Sequence, residues 1–365
     1  MDRSPLDPST LSPAAQKALG PGPGRMMASR GLVPLPPAEQ IAVLYQLSLD
    51  GELGAAATGT AKGLPEKVLA GALADPKLDP RVVDFVADSV LDKPAAFEAL
   101  VQSPTAADET IARLAGRGNA NQVDRIAANE QRLLRFPDII AAMYLNKHAR
   151  MSTVDRAVEL AVRNNVRVPN LPAWDEIARA LEQAPASPAD DALFASAIDA
   201  ATGDDSEVTQ GDMNADDEAE NPAADAVDKK ISRYEELSVP AKIRFAMTGN
   251  GYARGKAIRD PIKIVALAAI KAPSVTEFEA KSYAGNQTLA EDVIRYIASR
   301  REWTKNLQVK KALCRNPKTP INDVAKLLPF LLERDLNNLA RSKGIPSAVA
   351  AQAKKLLSQR KGGKP

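Results

Sequence analysis

From Ala38 onward, apolar residues recur at intervals of three and four, the spacing of one face of an α-helix. The first such run is AEQIAVLYQL, closing near Asp50-Gly51. From Leu64 a unit repeats: a breaker with Pro or a small polar residue, then an amphipathic run of roughly 10 to 15 residues. LPEKVLAGALA from Leu64, DPRVVDFVADSVL from Asp79, SPTAADETIARLA from Ser103 and FPDIIAAMYLN from Phe136 follow this grammar. MSTVDRAVELAVRN from Met151 and LPAWDEIARALEQ from Leu171 continue it. After Ser232 it resumes with PAKIRFAMTG, PIKIVALAAIK, TEFEAKSYAG, TLAEDVIRYIAS, NLQVKKALCRN and PSAVAAQAKKLLSQR. TPINDVAKLLPFLLERDLNNLAR from Thr319 reads as two helices broken before Pro329. No stretch alternates apolar and polar residues as a half-buried strand does.

Start signals reinforce the pattern. Pro65, Pro80 and Pro172 suit a first helical position, where the missing N–H is harmless. Thr276 with Glu279 and Thr288 with Glu291 have capping-box spacing, and Thr105 with Asp108 and Ser152 with Asp155 are variants of it. Breakers fall about 14 to 30 residues apart, so no single period is enforced. One short Ala/Leu helix pair cannot bury its own face, so neighbours are expected to stack and share a core.

Two stretches break the grammar. Residues 1–36 are rich in Pro, Gly and Ser and read as a disordered arm; residues 186–231, acidic and poor in large apolar side chains, read as a disordered linker. A short helix, DDALFASAIDAA, is possible at the start of the latter. The expected organisation is therefore all-α. An N-terminal helical repeat domain (37–185) and a C-terminal one (232–360), both α-solenoid-like, are joined by the linker and followed by a basic tail (361–365).

Charge changes this picture most. The formal net charge is +2. Residues 229–365, however, carry 28 Lys and Arg against 11 Asp and Glu, a net of +17, whereas residues 1–228 carry 20 against 35, a net of −15. Such asymmetry points to an anionic partner for the basic half, or to shielding of one half by the other. Aromatic residues are only 4%, so the cores rest on Ala, Leu, Ile and Val, which suits close helix packing. The single cysteine, Cys314, fits a reducing, cytoplasmic setting. MDRSPLDPST lacks the basic start and apolar core of a secretory signal, and no apolar run has the length of a membrane span.

At ALCRNPKTPINDVAKLL (312–328) the sequence resembles bacterial HEAT-like and variant leucine-rich α-helical repeats, which carry a similar AL..NP.TP...L..L unit. ALADPKLDPRVVDFVA from Ala72 and ALVQSPTAADETIARLA from Ala99 repeat that unit. REWTKN (301–306), NPKTP and RDLNNLARSKGIPSAV are similar to an uncharacterised bacterial family of this type. The resemblance implies a helical array that binds a partner on its surface. The cysteine cluster that gives some variant leucine-rich repeats an iron–sulfur centre has no counterpart here.

Chemistry is sparse. One His and one Cys cannot form a zinc or iron–sulfur ligand set, and no metal, cofactor or catalytic residue is assigned. His148 reads as a helix-end or solvent-facing residue, Cys314 as a buried apolar one, and Trp174 as core. TGNGYARGK (248–256) looks superficially like a phosphate loop. It follows a helix and lacks the P-loop spacing, so a helix–helix turn is the expected structure. The expected activity is therefore binding, not catalysis. Its candidate surface for an anionic partner comprises Arg300, Arg301, Trp303, Lys305, Lys310, Lys311, Arg315, Lys318, Arg341 and Lys343, against the simpler reading of a solvated helical face. Another protein, especially one with an acidic surface, is the first expected partner. Nucleic acid is the second, and the chain's own linker a third.

If the linker competes for the basic half, deleting residues 204–228 should tighten binding of the chain to a polyanion such as heparin at low salt. An unchanged affinity would argue against competition.

Overall fold

A computed structural model describes residues 3–183, 188–202, 232–342 and 344–362. All regular secondary structure among the described residues is helical. Two compact units divide the chain, Met1–Leu171 and Pro172–Pro365.

The first unit contains α1 (Pro13–Leu19), α2 (Pro23–Ser29), α3 (Pro37–Ser48), α4 (Gly54–Lys62), α5 (Glu66–Leu73) and α6 (Pro80–Ala87). It continues with α7 (Pro94–Gln102), α8 (Asp108–Ala115), α9 (Ala120–Ala127), α10 (Glu130–Arg135), α11 (Asp138–Leu145) and α12 (Met151–Arg163). Alternate helices pack in rows: α3, α5, α7 and α9 succeed one another in one, and α6, α8 and α11 in the other. Between them lie fully buried aliphatics such as Leu69, Val83, Leu100, Ile111 and Ile140.

The second unit contains α13 (Trp174–Gln183), α14 (Ala189–Thr202), α15 (Val239–Thr248), α16 (Gly251–Ala257), α17 (Lys263–Lys271) and α18 (Glu277–Gly285). Then come α19 (Glu291–Ser299), α20 (Arg301–Thr304), α21 (Leu307–Arg315), α22 (Ile321–Leu327), α23 (Glu333–Arg341) and α24 (Ser347–Gly362). Here α13, α15, α17 and α19 form one succession, and α18, α21 and α23 another. The expected break before Pro329 is a 3-10 turn, Leu328–Phe330, between α22 and α23.

Side chains bind the successive helix pairs together at a nearly constant chain separation. Asn146, 3% exposed, donates from Nδ2 to the carbonyls of Ala115 and Gly118, 31 and 28 residues earlier, while its Oδ1 accepts from His148 N–H. Asn316, 2% exposed, does the same in the second unit, donating to Ala284 and Asn286, 32 and 30 residues earlier, and accepting from Lys318 N–H. Each amide thus satisfies carbonyls that a helix C-terminus leaves without an intrahelical donor. Arg132 serves α7 in the same way, through Val101 and Ser103. On the same scale, Asp84 accepts from Thr110 and pairs with Arg113, Asp108 with Arg132 and Arg135, and Asp124 with Thr153 and Arg150.

Several expectations need correction. Residues 1–36 are not a structureless arm where described: they hold a 3-10 turn, Pro8–Thr10, then α1 and α2. Asp7 caps the 3-10 turn ahead of Pro8, and Ser12 caps α1 ahead of Pro13. Tertiary contacts overcome the poor composition: Leu6, Ala15, Ala18 and Ala28 are buried, Tyr45 donates to Ser4 O, and Arg81 to Ser4 and Pro5. Within 186–231, the short helix read at DDALFASAIDAA is present as α14, residues 189–202, with Phe194, Ala197, Ile198 and Ala201 buried at helical spacing. The remaining linker, 203–231, lies outside the described residues. The division at Leu171 puts α13 in the second unit, whereas the first domain was expected to run to 185.

Of the proposed capping boxes, Thr276–Glu279 is formed. Thr288 instead precedes a helix that begins at Glu291 after Ala290, and it bonds Asn286 Oδ1. Thr105 lies ahead of α8, whose N-cap is Ala107, and α12 begins at Met151, ahead of Ser152. A box that went unread from the sequence joins Asn119 and Gln122.

Replacing Asn146 or Asn316 by Ala leaves buried carbonyls unsatisfied, which should cost about 2–3 kcal/mol. In calorimetry each variant should lower a melting transition by roughly 4–12 °C, and a shift below about 2 °C would refute the clamp role.

Candidate anionic-partner surface

The second unit has many of its charges inside. Arg254 Nε lies 2.9 Å from Glu279 Oε1, with both side chains nearly inaccessible, and Arg254 also donates to Gly249 O and Ser274 Oγ. Tyr234 donates to Asp260, whose Oδ2 is 3.3 Å from Lys242 Nζ. Burial, then the hydrogen bond to Asp260, pushes the Tyr234 hydroxyl well above its ordinary value, so it stays protonated. Lys271 binds both carboxylate oxygens of Glu176, at 2.8 and 2.9 Å. Arg244 is fully buried with its guanidinium 4.5 Å from the Phe194 ring centroid. The Arg254–Glu279, Lys242–Asp260 and Lys271–Glu176 pairs set opposite charges against each other within the packing.

The ten surface candidates separate into different environments. Arg300, the residue before α20, lies over Tyr296 at 5.5 Å and over Trp303 at 5.9 Å. The two rings meet edge to face at 6.0 Å and 74°, a favourable quadrupolar arrangement. Arg301 and Lys305 are exposed on the same helical turn, joined by the bond from Lys305 N to Arg301 O. Arg315 and Arg341 are exposed at the ends of α21 and α23. Lys310 sits 4.7 Å from the ring centroid of Phe330, which is 64% exposed.

Two candidates belong to the framework instead. Lys311 pairs with the buried Asp335 at 3.0 Å, and Lys318 Nζ donates to the carbonyls of Thr288 and Leu289 at 3.1 and 2.6 Å. Lys343 lies outside the described residues. Sequence reasoning missed Tyr296 and Phe330. Tyr296 was detectable, because it lies four residues before Arg300, one turn away. Phe330 meets Lys310 only through tertiary packing.

The other candidates have structural explanations. Gly249 ends α15 and Asn250 caps α16 by accepting from Ala253 N–H. A Cβ on Gly249 would stand 2.4 Å from Ala253 Cβ and 2.7 Å from Phe245 O, so this glycine serves a tight helix–helix turn. His148 is exposed, and Trp174 is buried in α13. Among the described residues, no group of three His, Cys, Asp or Glu side chains is placed to hold a metal ion. No described helix is long and apolar enough to cross a membrane.

Comparison with protein-family models, curated proteins and solved structures found no match for the chain. The class it defines is therefore stated from its own structure: an all-helical protein of stacked helix pairs.

Cys314 is fully buried, and burial pushes its thiol up to about 12. The native thiol should resist alkylation at pH 8 and react once urea unfolds the chain. Because the folded value is raised, its contribution to stability is complete below the ordinary 9.0 and is lost as pH rises towards 12. Rapid labelling of the native protein at pH 8 would contradict this.

Proposed function

We propose that the chain is a non-enzymatic interaction protein of the HEAT-like or variant leucine-rich repeat type, acting in the cytoplasm as a scaffold for another protein with an acidic surface. The observation that carries this reading is the partition of charge in the second unit. Arg254, Lys242, Lys271, Lys311 and Lys318 are engaged within the fold, whereas Arg301, Lys305, Arg315 and Arg341 face solvent. Exposed cations of this kind steer an anionic partner and set its orientation. The half-buried Trp303 and the exposed Phe330 add the apolar contact that a protein interface needs at its centre.

Affinity purification of the full chain at physiological salt, with nuclease, should recover one specific protein partner. The double variant Arg301→Glu, Lys305→Glu should lose it at least about tenfold, as expected for reversal of charges at an interface. Absence of any protein partner, or recovery unchanged by the variant, would overturn the reading.

A second reading is favoured by the Tyr296–Arg300–Trp303 cluster, because aromatic rings beside exposed cations also suit nucleic acid. It requires affinity that falls steeply as salt rises, through loss of counterion release.

A further inference from the structure

Arg300 is held over two aromatic rings, and this geometry limits which anions suit it. The central guanidinium carbon stands over both rings, and the guanidinium N–H groups form a fork that phosphate oxygens match. The acidic contact of Arg300 is Glu302 at 3.8 Å, with a side chain 77% exposed. Such a surface pair is weak and readily exchanged for a stronger anion. Lys271, the other cation over Tyr296, is tied to Glu176, so Arg300 is the more exposed of the two.

We propose that Tyr296, Arg300 and Trp303, with Arg301 and Lys305, form a binding site for single-stranded nucleic acid. An unstacked base lies on the indole–guanidinium platform while the flanking cations hold the adjacent phosphates. This rests on the second reading above and specifies its ligand. A nucleotide in a single strand offers both a π-face and an anion within one residue's length. A duplex keeps its base faces inside its own stack and offers chiefly phosphates and groove edges. An acidic peptide offers charge without a base face. The helix at the site, Arg301–Thr304, has only 4 residues, too few to serve as a groove-reading helix, whereas a local platform suffices for one stacked base.

The test uses the full chain and fluorescently labelled oligonucleotides of one length: single-stranded DNA, single-stranded RNA and a DNA duplex. Binding is followed by anisotropy over a salt series, with unlabelled poly-glutamate as competitor. Trp303→Leu should weaken single-strand binding about five- to hundredfold, the usual effect of removing one stacking ring. Trp303→Tyr, which keeps a π-face, should restore most of it. Arg301→Ala with Lys305→Ala should make the salt dependence shallower. In a Trp174→Phe background, Trp303 is the remaining tryptophan and its emission should be quenched by the oligonucleotide. Circular dichroism and melting of each variant separate loss of contact from loss of fold. If single strand, duplex and poly-glutamate bind equally well and Trp303→Leu changes nothing, the stacking site is wrong. If single strand and duplex bind equally well, and both better than poly-glutamate, the general nucleic-acid reading survives without the stacking site. If neither single strand nor duplex binds at low salt, both fail.

Discussion

The second unit and the first depend on the same polar constraint: the carbonyls at the end of one helix must find donors, and the donors come from a later helix pair. Asn146 and Asn316 supply them through a single amide each, bonding two carbonyls and accepting a third bond at their own turn. Short helices make this need acute. A helix of 8 residues such as α8 leaves half its carbonyls without intrahelical partners. Burying such ends in an aliphatic stack would be costly without a donor. The clamp therefore lets short, alanine-rich helices pack closely while their termini stay satisfied, and it fixes the register of each pair against the one before.

Charge is handled by the same logic. The basic excess of residues 229–365 would oppose close packing if left unpaired inside. The fold places Glu279, Asp260, Glu176 and Asp335 against the cations that enter the core. Buried pairs of this kind add little net stability, because desolvation offsets attraction, but removing one partner is costly. Outside the core, Arg301, Lys305, Arg315 and Arg341 are exposed. The framework and the candidate surface are thus two results of one distribution of acids. Where a buried acid or an unpaired carbonyl lies within reach, as for Lys311 and Lys318, a cation joins the packing, whereas Arg301, Lys305, Arg315 and Arg341 stay at the surface.

The candidate surface was partly legible before the structure. Charge counting located the basic half, and the sequence around Trp303 suggested a ring among cations. Sequence spacing could not show that Lys311 reaches Asp335, 24 residues later in α23, or that Lys318 reaches the carbonyls of Thr288 and Leu289, 30 and 29 residues earlier. Those pairings join residues far apart in the chain, and helix propensity carries no information about them. Residues 3–36 show the same limit: their composition argues against order, but α3 and Arg81 supply the hydrogen bonds that hold them.

The chain by itself determined the all-helical class, the break at Pro329, the capping box at Thr276 and the burial of Cys314. These depend on periodicity and on chemistry within a few residues, where local sterics and hydrogen bonds dominate. Tertiary structure alone decided where the two units divide, which polar side chains clamp a neighbouring pair, and which cations remain at the surface. Those outcomes depend on groups far apart in the chain, such as Lys311 and Asp335 or Asn316 and Ala284, meeting in a low-dielectric interior, where an unpaired polar atom is too costly to leave.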